Sequence, residues 1–218
     1  TVTGNGATIT QTCADQRVFD ATDATGSMTV TTATIGGGEG EAAAVRFTGD
    51  VTLNGVVVTG NDAATGAVLD NEPSQSGTGL TLTDSVVGPN TGTGVGASNG
   101  SVTITGTKII GNTGSGVDLV DGVLAVADSL VEDNGGDYGL RTTAQGAGLF
   151  PLTDTVVRDN AGVGVVCGNC GNLEATRTTV ADNGMGGILV SVDQDAADDD
   201  VHVHIVDSSV TGNTKAGP

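Results

Sequence analysis

The sequence predicts an all-β solenoid, a parallel β-helix in which short strands stack coil on coil. Two observations predict it. A pattern recurs every 22 to 30 residues along the chain, and within each repeat the apolar residues alternate with a period of two. Three strands of three to five residues cannot form a domain alone. We therefore expect each strand to pair with its equivalent in the next coil, about 4.8 Å away.

An asparagine anchors each repeat and supplies the strongest sequence signal. The anchors are Asn61, Asn90, Asn112, Asn134, Asn160, Asn183 and Asn213. The positions ten, eight and three residues before every anchor are apolar, which predicts that these side chains point inward. Stacked Asn amides can hydrogen-bond to each other along the solenoid axis, as in cross-β ladders, and Asn tolerates the left-handed conformation of a tight bend. The anchors are therefore expected to form a structural Asn ladder.

The repeat extends toward both ends of the chain and sets the domain prediction. Two earlier coils place Val2, Gly4 and Ile9 in the positions of Met28, Val30 and Ile35. We expect about eight full coils plus a partial ninth, in a single domain over residues 1–218. Solenoids need caps at their ends, and none is evident here. The chain is therefore expected to be a fragment or processed part of a longer protein.

Repeats such as VTITGTKIIGNTGSGVDLVDG resemble the right-handed parallel β-helix of pectate-lyase-like proteins. The resemblance covers the whole chain and implies a right-handed winding. Within that group, the segment GGEGEAAAVRFTGDVTLNGVVVTGN looks like the repeats of bacterial surface proteins such as polymorphic outer-membrane proteins. Those proteins carry a Phe-x-x-Asn motif, whereas Val58, Val87 and Ile109 occupy the Phe position here.

Composition excludes several classes of partner. Lys and Arg number 7 against 26 Asp and Glu, which gives a net charge of −19. Such a chain does not bind nucleic acid through phosphates and has no basic patch for a membrane surface. No apolar run approaches the ~20 residues of a spanning helix. We therefore expect no nucleic-acid partner and no direct membrane insertion.

The three cysteines bear on the compartment. Cys167 and Cys170 form a CxxC pair, which is found in redox motifs, in half zinc sites and in local disulfides. We predict a disulfide here because no helix or second ligand pair is evident, and a disulfide indicates an oxidising compartment. Cys13 lies six coils away, about 30 Å, so it can pair only with another chain or a missing segment.

Two acidic features are candidate metal sites, with calcium as the possible cofactor. Asp133, Asp159 and Asp182 each precede an anchor on three successive coils, where like charges repel unless solvent screens them or a cation bridges them. The second feature is the segment SVDQDAADDDVHVH. Its candidate ligands are Asp195, Asp198, Asp200, His202 and His204. Carboxylates with two imidazoles can hold a divalent metal, whereas solvated turns are the alternative and the commoner explanation of both features.

Outward threonines form a further array. Thr29, Thr52, Thr81 and Thr103 occupy one row on successive coils. A flat Thr array resembles the ice-binding face of some β-helical antifreeze proteins, although Thr is also a common exposed strand residue. The row ends at Ala125.

We expect a non-catalytic extracellular or cell-surface module, acting as a rigid spacer, adhesion or assembly unit. Its expected partners are other copies or missing segments of the same protein, and possibly surface glycans. The alternative is a polysaccharide lyase or hydrolase, the commonest activity on the resembling fold, and no catalytic residue is assigned. A minor alternative is ice or mineral binding through the Thr array. Fold alone does not decide among these functions.

Overall fold

The computed structural model describes residues 1–22, 26–71, 79–191 and 202–214. In chain order the strands are β1 (Val2–Thr10), β2 (Phe19–Ala21), β3 (Ser27–Gly36), β4 (Val45–Phe47), β5 (Asp50–Asn54), β6 (Val57–Val58), β7 (Asp62–Asn71), β8 (Gly79–Thr83), β9 (Val86–Val87), β10 (Thr91–Ser98), β11 (Ser101–Thr105), β12 (Lys108–Ile110), β13 (Val117–Val120), β14 (Val123–Ala127), β15 (Leu130–Glu132), β16 (Tyr138–Thr153), β17 (Val156–Arg158), β18 (Val163–Thr176), β19 (Thr179–Ala181), β20 (Gly186–Ser191), β21 (His202–Val206) and β22 (Ser209–Thr211). Fifteen of these 22 strands have two to five residues, close to the predicted length, whereas β16 and β18 have 16 and 14 residues and contribute to two faces each.

The strands form three parallel faces that wind around one core. The first face runs through β1, β3, β5, β8, β11, β14, β16, β18 and β21. The second carries β6, β9, β12, β15, β17, β19 and β22 after the ends of β1 and β3. The third carries β2, β4, β7, β10, β13, β16, β18 and β20. All these pairs are parallel, which confirms the all-β parallel β-helix.

The coil count and the start of the first coil differ slightly from the prediction. Eight described strands stack on the third face, so the solenoid has seven complete turns between them and a partial turn at each end. Val2 pairs with Val30 rather than with Met28, and the register shifts before Ala7. Ile9 pairs with Ile35 as predicted. The first strand therefore begins two positions later in the repeat than its apolar pattern indicates.

The core consists of aliphatic columns at the predicted positions. Before each of the first six anchors, the residues at minus ten, eight and three are buried. The corresponding residues of the last described coil, Val203, Ile205 and Val210, are 43–46% exposed because no described coil covers them. On the third face the column runs through Val45, Leu69, Val95, Val117, Leu140, Val165 and Ile188. The Gly that precedes several of these residues is required by space: a Cβ on Gly116 would lie 2.5 Å from the carbonyl oxygen of Gly139.

The Asn anchors form the predicted ladder. Each Nδ2 from Asn61 to Asn183 donates to Oδ1 of the next anchor, at 2.8–3.1 Å. The same Oδ1 generally accepts the backbone N–H of the preceding anchor as well, as Asn160 does from Asn134 at 3.1 Å. Each Nδ2 also donates to the carbonyl three residues before the preceding anchor, as Asn134 does to Ile109. Six of the seven amides are buried, and their polar atoms are satisfied within the column.

A second ladder, of hydroxyl groups, lies five residues before the anchors. Its members are Ser85, Thr107, Ser129, Thr155, Thr178 and Ser208. Each hydroxyl donates to the carbonyl two residues before it, as Ser129 does to Ala127 at 2.6 Å. Several also accept a backbone N–H from the previous coil, as Ser129 does from Thr107 at 3.1 Å. Nothing in the sequence marks these serines and threonines as members of a buried column.

The aspartate rows lie at left-handed turns. Asp84, Asp128 and Asp154, six residues before their anchors, have φ of 48–49°. Asp133 and Asp159, directly before their anchors, have φ of 54–55°. Glycine occupies the equivalent positions in other coils, for example Gly106 with φ 59° and Gly111 with φ 64°. Only Gly, Asn and Asp adopt this conformation readily, so backbone geometry explains why Asp recurs at both turns.

Replacing Asn134 with Leu should lower the free energy of unfolding by about 1–3 kcal/mol, because the buried amides and carbonyls around it lose their partners. Urea denaturation measures the change. The matched control is Asp133→Asn, an exposed neighbour at which Asn keeps the left-handed turn and which should unfold like the wild type. Equal stability of Asn134→Leu and the control would contradict the ladder's energetic role.

Candidate functional site

The outer surface of the third face carries a column of alternating charges. In register on successive coils lie Asp20, Arg46, Asp70, Gly96, Asp118 and Arg141. The charges alternate except at Gly96, which separates two aspartates. Opposite charges on paired strands attract and like charges repel, so the paired charges attract each other on both sides of Gly96. At Gly96 itself the alternation is interrupted, because that coil has no side chain.

A groove of about 520 Å³ opens at this interruption. Asp70, Gly96 and Asp118 line it, together with the glycines Gly66, Gly92 and Gly114 and the hydroxyl residues Thr93, Ser98 and Thr113. We call it the Asp70–Asp118 groove. It crosses three coils, so no single repeat contains it.

The glycines of the groove exist because neighbouring coils approach closely there. A Cβ on Gly92, whose φ is 98°, would lie 2.1 Å from the carbonyl oxygen of Ala63. A Cβ on Gly96 would lie 2.6 Å from Cβ of Ala67. Real Cβ atoms do not pack at such distances, so both positions exclude side chains. Between the two aspartates, Gly96 is buried and the methyl of Ala67 occupies the space that a side chain there would take.

Asp70 is half-buried in the groove wall. Burial raises the pKa of its carboxyl above the ordinary value; the charge of Arg46 opposes this and that of Glu41 adds to it. Desolvation disfavours the charged form of an acid. A partly desolvated carboxyl in a cleft is the kind of group that marks a functional site.

Asp118 lies in a different electrostatic environment from Asp70. Nε of Arg141, on the next coil, donates to Oδ1 of Asp118. The guanidinium of Arg141 also lies over the ring of Tyr138, 4.7 Å from its centroid, a cation–π contact that fixes its position. The groove thus has one carboxyl held by an arginine and a second that is raised in pKa by burial.

The predicted metal row does not converge on one ion. Asp133, Asp159 and Asp182 lie on three successive coils, so the outer two are about 10 Å apart. Oxygens that share one calcium lie within about 5 Å of each other, since Ca–O bonds measure 2.3–2.6 Å. Among the residues that the structure describes, no three His, Cys, Asp or Glu side chains are grouped to hold a metal ion. The left-handed turn accounts for the residue type at these positions, and metal binding by the row stays a prediction.

The second predicted metal site is only partly described. Asp195, Asp198 and Asp200 lie outside the described residues. His202 and His204 are exposed on β21, and Glu174 pairs with His204 on the adjacent coil. Metal binding by this segment stays a prediction.

The cysteines lie as predicted. Cys167 and Cys170 form a disulfide within β18, with Cα atoms 5.4 Å apart. Cys13 is exposed and has a free thiol. Pairing of Cys13 with another chain or segment stays a prediction.

The remaining predicted surface rows are also in register. Thr29, Thr52, Thr81 and Thr103 pair successively, and Thr103 then pairs with Ala125. Ice or mineral binding through this row stays a prediction. Arg158 is bound by Glu132 on the neighbouring coil. Arg177 donates from Nε and Nη2 to the two carboxylate oxygens of Asp154, at 2.7 and 2.6 Å.

The chain belongs to the right-handed β-helix family. The family model, described as the right handed beta helix region, matches residues 43–217. This assignment supplies the winding sense that the resemblance implied. No curated protein matches the sequence. Within the described part of the chain, no helix is long and apolar enough to cross a membrane.

Among solved structures, the chain is similar to the A-module of the mannuronan C-5 epimerase AlgE6 of Azotobacter vinelandii. The identity is 12% and the TM-score 0.41, over 97% of this chain and 57% of that one. The chain thus spans little more than half of that module. A likeness at this level carries no functional argument.

Asp159→Asn should leave any response of the melting temperature to calcium or EDTA unchanged, because the left-handed turn accounts for the aspartate and no three acidic side chains are grouped there among the described residues. Differential scanning fluorimetry of both proteins, with calcium and with EDTA, measures this. Asn keeps the left-handed turn, so folding is not at issue. Loss of a calcium response in the variant alone would restore the row as a metal site.

Arg177→Asn should raise the pKa of Asp154, whose carboxyl the hydrogen bonds and charge of Arg177 hold below its ordinary value. A depressed carboxyl pKa gives stability that is present above the unfolded-state value and is lost as pH falls through the folded-state value. The variant should therefore be less stable than the wild type at neutral pH, and the two proteins should have the same stability in acid, where Asp154 is protonated. Carboxyl NMR titration measures the shift, with Asp20, held low mainly by Thr22, as the internal control. An unmoved Asp154 would contradict the assignment.

Proposed function

We propose that this chain is a non-catalytic extracellular or cell-surface β-helix module that binds a glycan in the Asp70–Asp118 groove. The observation that carries the proposal is the groove itself, a cleft of about 520 Å³ with two carboxylates and three hydroxyl residues in its lining. Ligand sites in proteins are concave and combine an apolar lining with a few convergent polar groups.

The chemistry of the lining favours a polyhydroxylated ligand. Ionised carboxylates only accept hydrogen bonds, so Asp70 and Asp118 require donors on the ligand. The hydroxyls of Thr93, Ser98 and Thr113 both donate and accept. Sugar hydroxyls match this mixture, because each can donate to a carboxylate and accept from a threonine or serine.

Two features support an extracellular location. The Cys167–Cys170 disulfide suits an oxidising compartment. The net charge of −19 keeps a long, rigid module soluble and free of nucleic acid. The regular coils also suit a spacer or adhesion unit, which would hold the groove at a distance from the surface to which the module is attached.

One observation favours hydrolysis as a second candidate function. Asp70 and Asp118 share a groove but differ in environment, and a pair of carboxyls whose environments differ can divide the roles of acid and base. A depolymerisation assay on a panel of glycans, with and without calcium, separates this activity from binding alone. Product release that Asp70→Asn abolishes would establish the enzyme and overturn the non-catalytic proposal.

Glycan binding should weaken at least about tenfold in the double variant Asp70→Asn/Asp118→Asn, since hydrogen bonds to charged groups contribute about 1.5–3 kcal/mol. Calorimetric titration with neutral, amino and acidic oligosaccharides measures it.

The matched control for this titration is Asp84→Asn/Asp128→Asn. These two aspartates also flank a glycine, Gly106, two coils apart, but they lie at exposed turns away from the groove. The control should bind like the wild type. Equal weakening in both variants, or no binding of any glycan by the wild type, would contradict the proposal.

A further inference from the structure

We infer that His202 and His204 together bind one divalent late transition-metal ion, such as Zn²⁺, on the outer surface of the first face. They are the only two histidines of the chain. This imidazole pair lies on β21, whereas the Asp70–Asp118 groove lies on the third face. Metal binding by the pair is therefore independent of the proposed glycan binding.

The register of β21 places both imidazoles on the same side of the sheet. His202 and His204 pair with Asn172 and Glu174 of β18. The residue between the two histidines pairs with Leu173, which is buried in the core. Residues two apart on a strand lie on one face, so both histidines point outward, and both are exposed.

The spacing of the two histidines allows them to share one ion. Their Cα atoms lie about 6.7 Å apart, because a strand rises 3.3–3.4 Å per residue. Two nitrogens on one zinc ion are at most about 4.2 Å apart, since each Zn–N bond measures 2.0–2.1 Å. Rotation about the side-chain torsions closes this difference. In the described part of the chain neither imidazole has a hydrogen-bonding or ionic partner, so both rings are free to turn.

Glu174 adds a negative charge beside the imidazole pair. It lies in register with His204 on the adjacent coil, at a strand spacing of about 4.8 Å. It is exposed and has no ion-pair partner among the residues that the structure describes. Since no three metal-binding side chains are grouped in that part of the chain, the two imidazoles form the chelate, and Glu174 attracts the cation by its charge.

The donor set determines the class of metal. Imidazole nitrogen suits zinc, copper and nickel, whereas calcium and magnesium prefer oxygen ligands. Two linked donors bind an ion more tightly than one, because the second donor binds intramolecularly, at a high effective concentration. Both histidines are exposed, so the remaining coordination positions of the ion are left to water.

The test is a titration with Zn²⁺ at about pH 7.5, because imidazole must be neutral to bind a metal. All proteins in the titration carry Cys13→Ser, which removes the exposed thiol as a competing ligand. Since the chain has only two histidines, NMR resolves the imidazole signals of each. We expect both signals to shift together and to saturate at one equivalent of Zn²⁺, and neither to shift with Ca²⁺.

Substitutions separate the chelate from general attraction by charge. His202→Asn and His204→Asn should each weaken Zn²⁺ binding at least about tenfold in calorimetry, because the remaining imidazole loses its linked partner. Glu174→Gln should weaken binding by less than either. The matched control is Asp133→Asn/Asp159→Asn, which removes two exposed carboxylates and should bind Zn²⁺ like the parent chain at about 0.15 M salt.

Several outcomes would overturn the shared site. One is separate midpoints for the two imidazole signals, and another is parental affinity in either single histidine variant. Zn²⁺ binding that persists in His202→Asn/His204→Asn would assign the ion to carboxylates and contradict the imidazole chelate. Absence of Zn²⁺ binding by the parent chain would do the same. None of these results bears on the Asp70–Asp118 groove, which the oligosaccharide titrations test separately.

Discussion

The hydrogen bond from one buried asparagine to the next is the interaction on which the rest of this structure depends. Each anchor fixes the axial position of its coil, because its amide is satisfied only when the next amide lies directly above it. A slip of one residue would leave buried amides unpaired and turn the aliphatic columns outward. Register on all three faces, and with it the placement of every surface row, follows from this column.

The apolar columns and the amide ladder could be predicted because they recur at fixed distances from an anchor. The hydroxyl ladder recurs just as regularly, but Ser129 or Thr107 in isolation has the same appearance as a polar turn residue. The row of Asp133, Asp159 and Asp182 has two interpretations for a related reason. Asp suits both a left-handed turn and a calcium site; the backbone angles show the turn, and calcium binding by the row stays a prediction.

The groove could not be predicted, because the anchor distances fail there. Gly96 and Asp118 both follow their anchors by six residues, whereas Asp70 follows Asn61 by nine. The register between β7 and β10 shifts over this extra length. Alignment by anchors therefore places Asp70 beside the wrong residues. The glycines of the groove also carried no signal, since the chain contains 37 glycines and only packing identifies those at which neighbouring coils approach too closely for a side chain.

The amide column has an electrical consequence. Every Oδ1 from Asn61 to Asn213 accepts from the N-terminal side. Every Nδ2 from Asn61 to Asn183 donates one hydrogen to the next anchor, while it also donates to a carbonyl of the preceding coil. The side-chain dipoles are therefore aligned head to tail and polarise one another, which strengthens the central bonds relative to the terminal ones. The solenoid consequently has a permanent axial polarity that its parallel strands alone do not create, with the positive pole at the last coil.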